Sequence, residues 1–200
     1  MEVKLSIYYC TKWTLRSIAC VFFSLLCTFV QADLTYQQLE KISDSPANIE
    51  GTFTQKKYLS ELAVNLTSSG IFEYKRDQKI IWRTLQPIEN EMEMTPSSIV
   101  NRQRDEETLR LDSKKNPSIA AFSEIFFSVL TAQWQSLAKH FNMKGSLKSN
   151  QWKAELLPID INVLNVINRI ELEGDQLLRK VVLHETEGDT TTIVFEYTPQ

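Results

Sequence analysis

The chain has 200 residues, 42% of them hydrophobic and 24% charged, with 5 glycines and 6 prolines, so it can form a globular core and is neither disordered nor fibrous. From totals of 22 basic and 25 acidic residues, setting aside Lys4, Lys12, Arg16 and Glu2 leaves 19 and 24. The net charge moves from −3 to −5, which argues against a nucleic-acid binder.

The first segment reads as an address. Lys4, Lys12 and Arg16 precede the apolar run from Ile18 to Val30, and Val30-Gln31-Ala32 supplies the small residues that a signal peptidase reads. As a helix that run rises roughly 20 Å, short of a hydrocarbon core of roughly 30 Å, so a cleaved secretory signal is expected over residues 1–32 rather than a membrane anchor. The expected mature chain, residues 33–200, is the length of one domain. Cys10, Cys20 and Cys27 all precede it, so no disulfide, thiol catalysis or cysteine-bound metal is expected there.

Leu34, Leu39 and Ile42 predict a short amphipathic helix over about Tyr36–Ser43. The period then changes to two. Strands are predicted over Ile49–Leu59, Ser68–Arg76 and Lys79–Leu85, with a turn at Asp77-Gln78. A fourth follows Pro87, where Ile88, Asn90, Met92 and Met94 alternate with Glu89, Glu91 and Glu93, giving one wet acidic face and one flexible apolar face. Pro96-Ser-Ser makes the next turn, Ser98–Asn101 and Glu107–Leu111 are further strands, and the charged run Arg102–Glu107 between them reads as a solvated loop.

Asn116-Pro117 is a helix-start signal, a capping residue followed by proline in the first turn. Ile119, Phe122, Ile125, Phe126, Val129 and Leu130 recur at helical spacing, and Trp134, Leu137 and Ala138 extend it, so one long or two broken helices cover 117 to about 139. Strands return over Phe141–Leu147, Trp152–Leu157, Ile167–Leu172, Leu177–His184 and Thr190–Tyr197, the last three linked as hairpins by Glu173-Gly-Asp and Glu187-Gly-Asp. The expected fold is one antiparallel β domain, a curved sheet or partial barrel, with a helical insertion.

Motifs for catalysis are lacking. His140 and His184 are the only histidines and read as surface or strand residues; no nucleophile elbow, P-loop, dinucleotide fingerprint or zinc motif is present, so neither enzyme nor cofactor is expected. Glu89, Glu91 and Glu93 on one strand face lack the looped oxygen cage that calcium needs, and no metal is expected. What stands out is apolar: Phe53, Phe72, Trp82, Met92 and Met94 on strands, and Phe122, Ile125, Phe126 and Val129 on a helix. Such stripes are usually plain core, yet a curved sheet under an apolar helix can also enclose a cavity for a long hydrophobic ligand. Periodicity does not separate the two.

The order of several short motifs resembles the LolA-type periplasmic carriers that take lipoproteins to the bacterial outer membrane. The matching pieces are Gly51-Thr-Phe53-Thr-Gln55, Ser69-Gly70-Ile-Phe72-Glu-Tyr-Lys75-Arg76, Ile80-Ile-Trp82 with Gln86-Pro87, Trp152-Lys-Ala-Glu-Leu-Leu-Pro158 and Gly188-Asp-Thr-Thr-Thr-Ile-Val-Phe195. The resemblance implies an unclosed antiparallel barrel with a helical lid over a hydrophobic cavity that receives acyl chains, and no chemical step. It implies cargo received from an ATP-driven inner-membrane complex and passed to an outer-membrane receptor, by a monomer in the periplasm. It places lid gating on Arg76 and cavity lining on Ile80 and Trp82, with Phe72 and Tyr74 as neighbours. Departures are Asp77 where the family often has proline, the Pro96-Ser-Ser turn, and the absence after Tyr197 of the C-terminal extension that some carriers possess. The last departure makes a carrier for another envelope lipid or acylated product an alternative, and a lipoprotein-sensing module that transports nothing is a further one of a different class.

Overall fold

A computed structural model describes residues 33–198, except 45, 77 and 116. The expected secretory signal, the expected capping residue Asn116 and the turn residue Asp77 lie outside the described residues. Residues 33–200 form one compact unit.

Helix α1 (Tyr36–Ile42) opens on Thr35, whose hydroxyl accepts the Gln38 N–H at 3.2 Å while the Gln38 side chain accepts the Thr35 N–H at 2.9 Å. This reciprocal capping satisfies two donors that a helix start otherwise leaves orphaned. Fully buried Leu39 anchors the helix.

Eleven strands follow: β1 (Asn48–Leu59), β2 (Val64–Lys75), β3 (Lys79–Gln86), β4 (Asn90–Thr95), β5 (Ser98–Gln103), β6 (Glu106–Asp112), β7 (Phe141–Lys148), β8 (Gln151–Pro158), β9 (Ile167–Gly174), β10 (Leu178–Glu185) and β11 (Thr190–Tyr197). They form a single antiparallel sheet in the order β6-β5-β4-β3-β2-β1-β11-β10-β9-β8-β7. Ten neighbouring pairs zip by hairpins except one, where β1 meets β11 with Phe53 opposite Phe195. The sheet is not closed: β6 and β7 are its two edges. The chain leaves at one edge and re-enters at the other, so residues 113–140 have to cross the sheet. Helix α2 (Pro117–Leu130) and a 3₁₀ helix (Trp134–Lys139) make that crossing. This is the lidded, unclosed barrel that the resemblance implied.

Of the two helical readings, the broken one is observed. Ala132 takes a left-handed φ of 56°, and the Gln133 N–H turns back to the Ser128 carbonyl at 2.9 Å, which ends α2. Other expectations need correction. The charged run Arg102–Glu107 is not a loop: Arg102 and Gln103 belong to β5, Glu106 and Glu107 to β6, and only Arg104-Asp105 turns, both at positive φ. Its charges are tolerated in strands because opposite charges face one another: Arg102 is opposite Glu91 of β4, 3.7 Å away, and opposite Glu107 of β6, which also pairs with Arg110 along its own strand. The face of β4 expected to be acidic and wet is also paired, since Arg83 donates to Glu91 at 2.7 Å and Lys79 lies 3.4 Å from Glu93. Strand β4 begins at Asn90 rather than Ile88, which is exposed in the turn after Pro87. Strand β2 starts four residues earlier than expected, at Val64, so the β1–β2 hairpin projects with Leu62, Val64 and Leu66 exposed. A one-turn helix, α3 (Ile161–Leu164), was not foreseen.

Close approach of strands demands glycine at one position in particular. A Cβ on Gly70 of β2 would run into the Arg83 carbonyl of β3, beside the bulge in that pair.

Candidate functional site

Between α2 and the β9–β11 half of the sheet lies a cavity of about 120 Å³. From the lid come Phe122, Ile125, Phe126, Val129 and Leu130. These fall on one face because the helical period brings residues three and four apart together. From the sheet come Ile167 and Ile170 of β9, Val181 and Leu183 of β10, and Thr191, Ile193 and Phe195 of β11. On β10 and β11 these follow the alternation that points every second side chain inward, and on β9 the irregularity opposite His184-Glu185 lets Ile167 and Ile170, three residues apart, both turn inward. Among the described residues that line it, Thr191 alone has a polar side chain.

Four of the expected cavity residues, Phe122, Ile125, Phe126 and Val129, line this space. The other seven sit beside it. Phe53, Phe72, Tyr74, Ile80, Trp82 and Met94 are buried in the core, with Met92 packed against them. Trp82 stacks on Phe53 at 3.9 Å between centroids and meets both Phe126 and Phe195 edge-on at 6.0 Å, so these residues form the aromatic floor on which the cavity rests. The β9–β11 lining was missed. Its signal was present in the alternation Thr191, Ile193, Phe195, but nothing local says that α2 lies over that half. Arg76 is exposed at the β2–β3 turn, its backbone N–H donating to the Ala47 carbonyl at 2.9 Å.

Two hydroxyl side chains of α2 are buried outside this lining. Ser123 and Ser128 are each 2% exposed, and Ser123 Oγ has no hydrogen-bond partner among the described residues.

A polar clasp holds the lid at its outer side. His140, expected at the surface or on a strand, is instead buried just after the 3₁₀ helix. Its Nδ1 lies 2.8 Å from Asp160 Oδ2 and its Nε2 3.4 Å from Glu124 Oε2 on α2, while Lys139 pairs with Glu124. Sequence gave no hint, because the three residues are 16 and 20 positions apart. His184 is on β10 as expected, 2.8 Å from Glu171. The Asn162 backbone N–H, followed by His140, holds the Asp160 carboxyl below its ordinary value of 3.8. A lowered folded-state value means that this stabilisation is complete above the ordinary value and disappears as pH falls through the folded one. Asp160→Asn is therefore expected to be less stable near neutrality, by about 1 kcal/mol, and to lose less stability than the parent below about pH 4. Urea unfolding at a series of pH values checks this; parallel pH curves would contradict it.

Among the described residues no three His, Cys, Asp or Glu side chains are grouped to hold a metal ion. None of the described helices is long and apolar enough to cross a membrane.

The model of the family described as outer membrane lipoprotein carrier protein LolA matches residues 45–199. The chain belongs to the LolA family. No curated protein matches it in sequence. Among solved structures, a LolA superfamily protein, NE2245, from Nitrosomonas europaea is similar over 82% of this chain and 92% of its own, at 9% identity and a TM-score of 0.43. A DUF1329 family protein from Desulfovibrio piger is similar over 80% and 88%, at 10% identity and 0.43. LprF from Mycobacterium bovis is similar over 82% and 90%, at 7% identity and 0.35. The LolA family match spans every strand of the sheet and α2.

Proposed function

We propose that this LolA-family protein is a periplasmic carrier that shields the acyl chains of lipoproteins beneath α2 and moves them from the inner to the outer membrane. The observation that carries this reading is the cavity walled by hydrocarbon on a family scaffold of lipoprotein carriers. Each buried methylene is worth about 0.8 kcal/mol, so an acyl chain binds tightly and the difficulty is release. A lid that exchanges its own contacts for cargo contacts reduces the net affinity and so eases release. In this reading residues 1–32 are a secretory signal removed on export, residues 33–200 are the single carrier domain, and the protein works as a monomer. An ATP-driven inner-membrane complex loads it and an outer-membrane receptor unloads it. Arg76 acts as the gating residue and no reaction is catalysed.

The cavity volume favours a second reading. At about 120 Å³ it is well below the roughly 300–1,000 Å³ of ordinary ligand pockets, so α2 has to lift for a large cargo, and another envelope lipid with fewer chains fits with less movement.

Native mass spectrometry with lipid extraction, on protein taken from the periplasm without detergent, tests both. A bound lipoprotein is expected; a free lipid supports the second reading. An empty protein that also fails to bind a hydrophobic probe overturns both. In a transfer assay between membranes, Arg76→Leu is expected to change loading or release, and unchanged transfer removes Arg76 from the mechanism.

A further inference from the structure

The cavity has two chemically different ends. Its floor is aromatic, formed by Phe195 against Phe72 and Trp82. Its walls become polar towards the other end. On β11 the lining runs from Phe195 through Ile193 to Thr191, and on β10 from Val181 to Leu183, with Thr191 opposite Leu183. On its other side Thr191 stands opposite Lys57 of β1. Directly opposed residues in an antiparallel pair share a face, so Lys57 is on the inward face with Leu183 and Thr191. The burial alternation of β1 agrees: Gln55, Lys57 and Leu59 are half-buried, Thr54, Lys56 and Tyr58 exposed.

Lys57 carries a small network there. Its Nζ lies 3.0 Å from Glu185 Oε1, 3.2 Å from Glu185 Oε2 and 3.4 Å from Asp189 Oδ2. The Thr191 hydroxyl donates to Glu185 Oε1 at 3.2 Å. Asp189 Oδ1 accepts the Ser60 N–H at 2.9 Å, which is the main reason that its carboxyl is held below the ordinary range. Apolar groups flank this end. Thr186 of the β10–β11 turn donates to the Val166 carbonyl at 3.0 Å, and Ser60 of the β1–β2 turn to the Glu187 carbonyl at 2.8 Å. These bonds bring Ile161 (67% exposed) and Leu62 (69% exposed) to the same end of the barrel.

We propose that Lys57, Glu185 and Asp189 form a head-group site at the cavity mouth, which receives the hydrogen-bond-donating polar end, an amide or an ammonium, of an acylated ligand. This rests on the acyl-binding reading and adds to it a preference for the head and a direction for the chain, tail on the aromatic floor. The charge of the cluster decides the preference. One ammonium shared by two carboxylates leaves a net charge of −1 and several unused acceptor lone pairs, so donors are attracted and anionic heads repelled. The Lys57 amine, held protonated chiefly by its hydrogen bond to Glu185, is already occupied and offers an anion little.

The test is displacement of a fluorescent hydrophobic probe by three twelve-carbon amphiphiles below their micelle concentrations: dodecylammonium, N-dodecylacetamide and dodecanoate. The first two are expected to displace the probe at concentrations about fivefold lower than dodecanoate, the size of one partly exposed ion-pair interaction. Glu185→Gln should bring the three within about twofold, and Lys57→Met should widen the preference for dodecylammonium. Equal or tighter binding of dodecanoate, or ratios unchanged in both variants, would overturn the head-group site while leaving acyl binding intact. Failure of all three to displace the probe, or of the probe to bind, would overturn the acyl-binding reading and this site with it.

Discussion

Truncating Trp82 to alanine is expected to destabilise the protein by about 3–5 kcal/mol and, in the protein that remains folded, to increase the uptake of a hydrophobic probe. Both effects have one cause. Trp82 is 6% exposed, stacked on Phe53, and in edge contact with Phe126 of the lid and Phe195 of β11. Both of those rings line the cavity, so the volume vacated by the indole is continuous with the space already there. Truncation of a core side chain away from the cavity leaves an isolated void that admits at most a small apolar molecule and not a large probe. Urea unfolding and probe titration on the same sample separate the cases. A loss of stability with no gain in probe binding would mean that the floor collapses, and that the cavity stops at Phe126 and Phe195.

Leu183→Arg is expected to do the opposite, strongly weakening acyl binding while leaving the fold in place. Leu183 lines the cavity near its polar end and is only half-buried, so an arginine can bury its methylene stem and keep the guanidinium in water. The head group would stand across the path of an entering chain, beside Glu185. If three or four methylenes lose their contact with the wall, affinity drops by about 100-fold at 0.8 kcal/mol each. Isothermal titration with an acyl ligand measures this, with circular dichroism as the check on the fold. Binding within about threefold of the parent would show that chains do not pass this point.

Much of the architecture is legible in the chain because it is local. The alternation in Phe53–Gln55, in Met92–Met94 and in Thr191–Phe195 arises from strand geometry, and the spacing of Phe122, Ile125, Phe126 and Val129 from helix geometry. The turns Glu173-Gly-Asp and Glu187-Gly-Asp identify β9–β10 and β10–β11 as hairpins, which the register confirms. The misread segments fail for physical reasons. Arg102–Glu107 has the composition of a loop, and it becomes strand because Arg102 stands between Glu91 of β4 and Glu107 of β6 in the sheet register. His140 has the polarity of a surface residue, and it is buried because Asp160 and Glu124 satisfy both ring nitrogens from elements distant in sequence.

The candidate site was only half legible, and the division is instructive. Lid residues could be identified because a helix with one apolar face has to cover something. Which part of the sheet it covers depends on how the chain crosses from β6 to β7, a connection that no local period encodes. By itself, then, the sequence determined the strands, the lid helix and the hairpins, since each follows from dihedral preference and burial within a few neighbouring residues. Only the tertiary structure decided that Trp82 and Phe72 pack as floor, that Ile170 and Ile193 face empty space, and that Lys57 meets Glu185 at the mouth. Those outcomes depend on distances between elements far apart in the chain, and whether apolar faces meet or leave a gap is set by the path of the backbone rather than by the residues on either face.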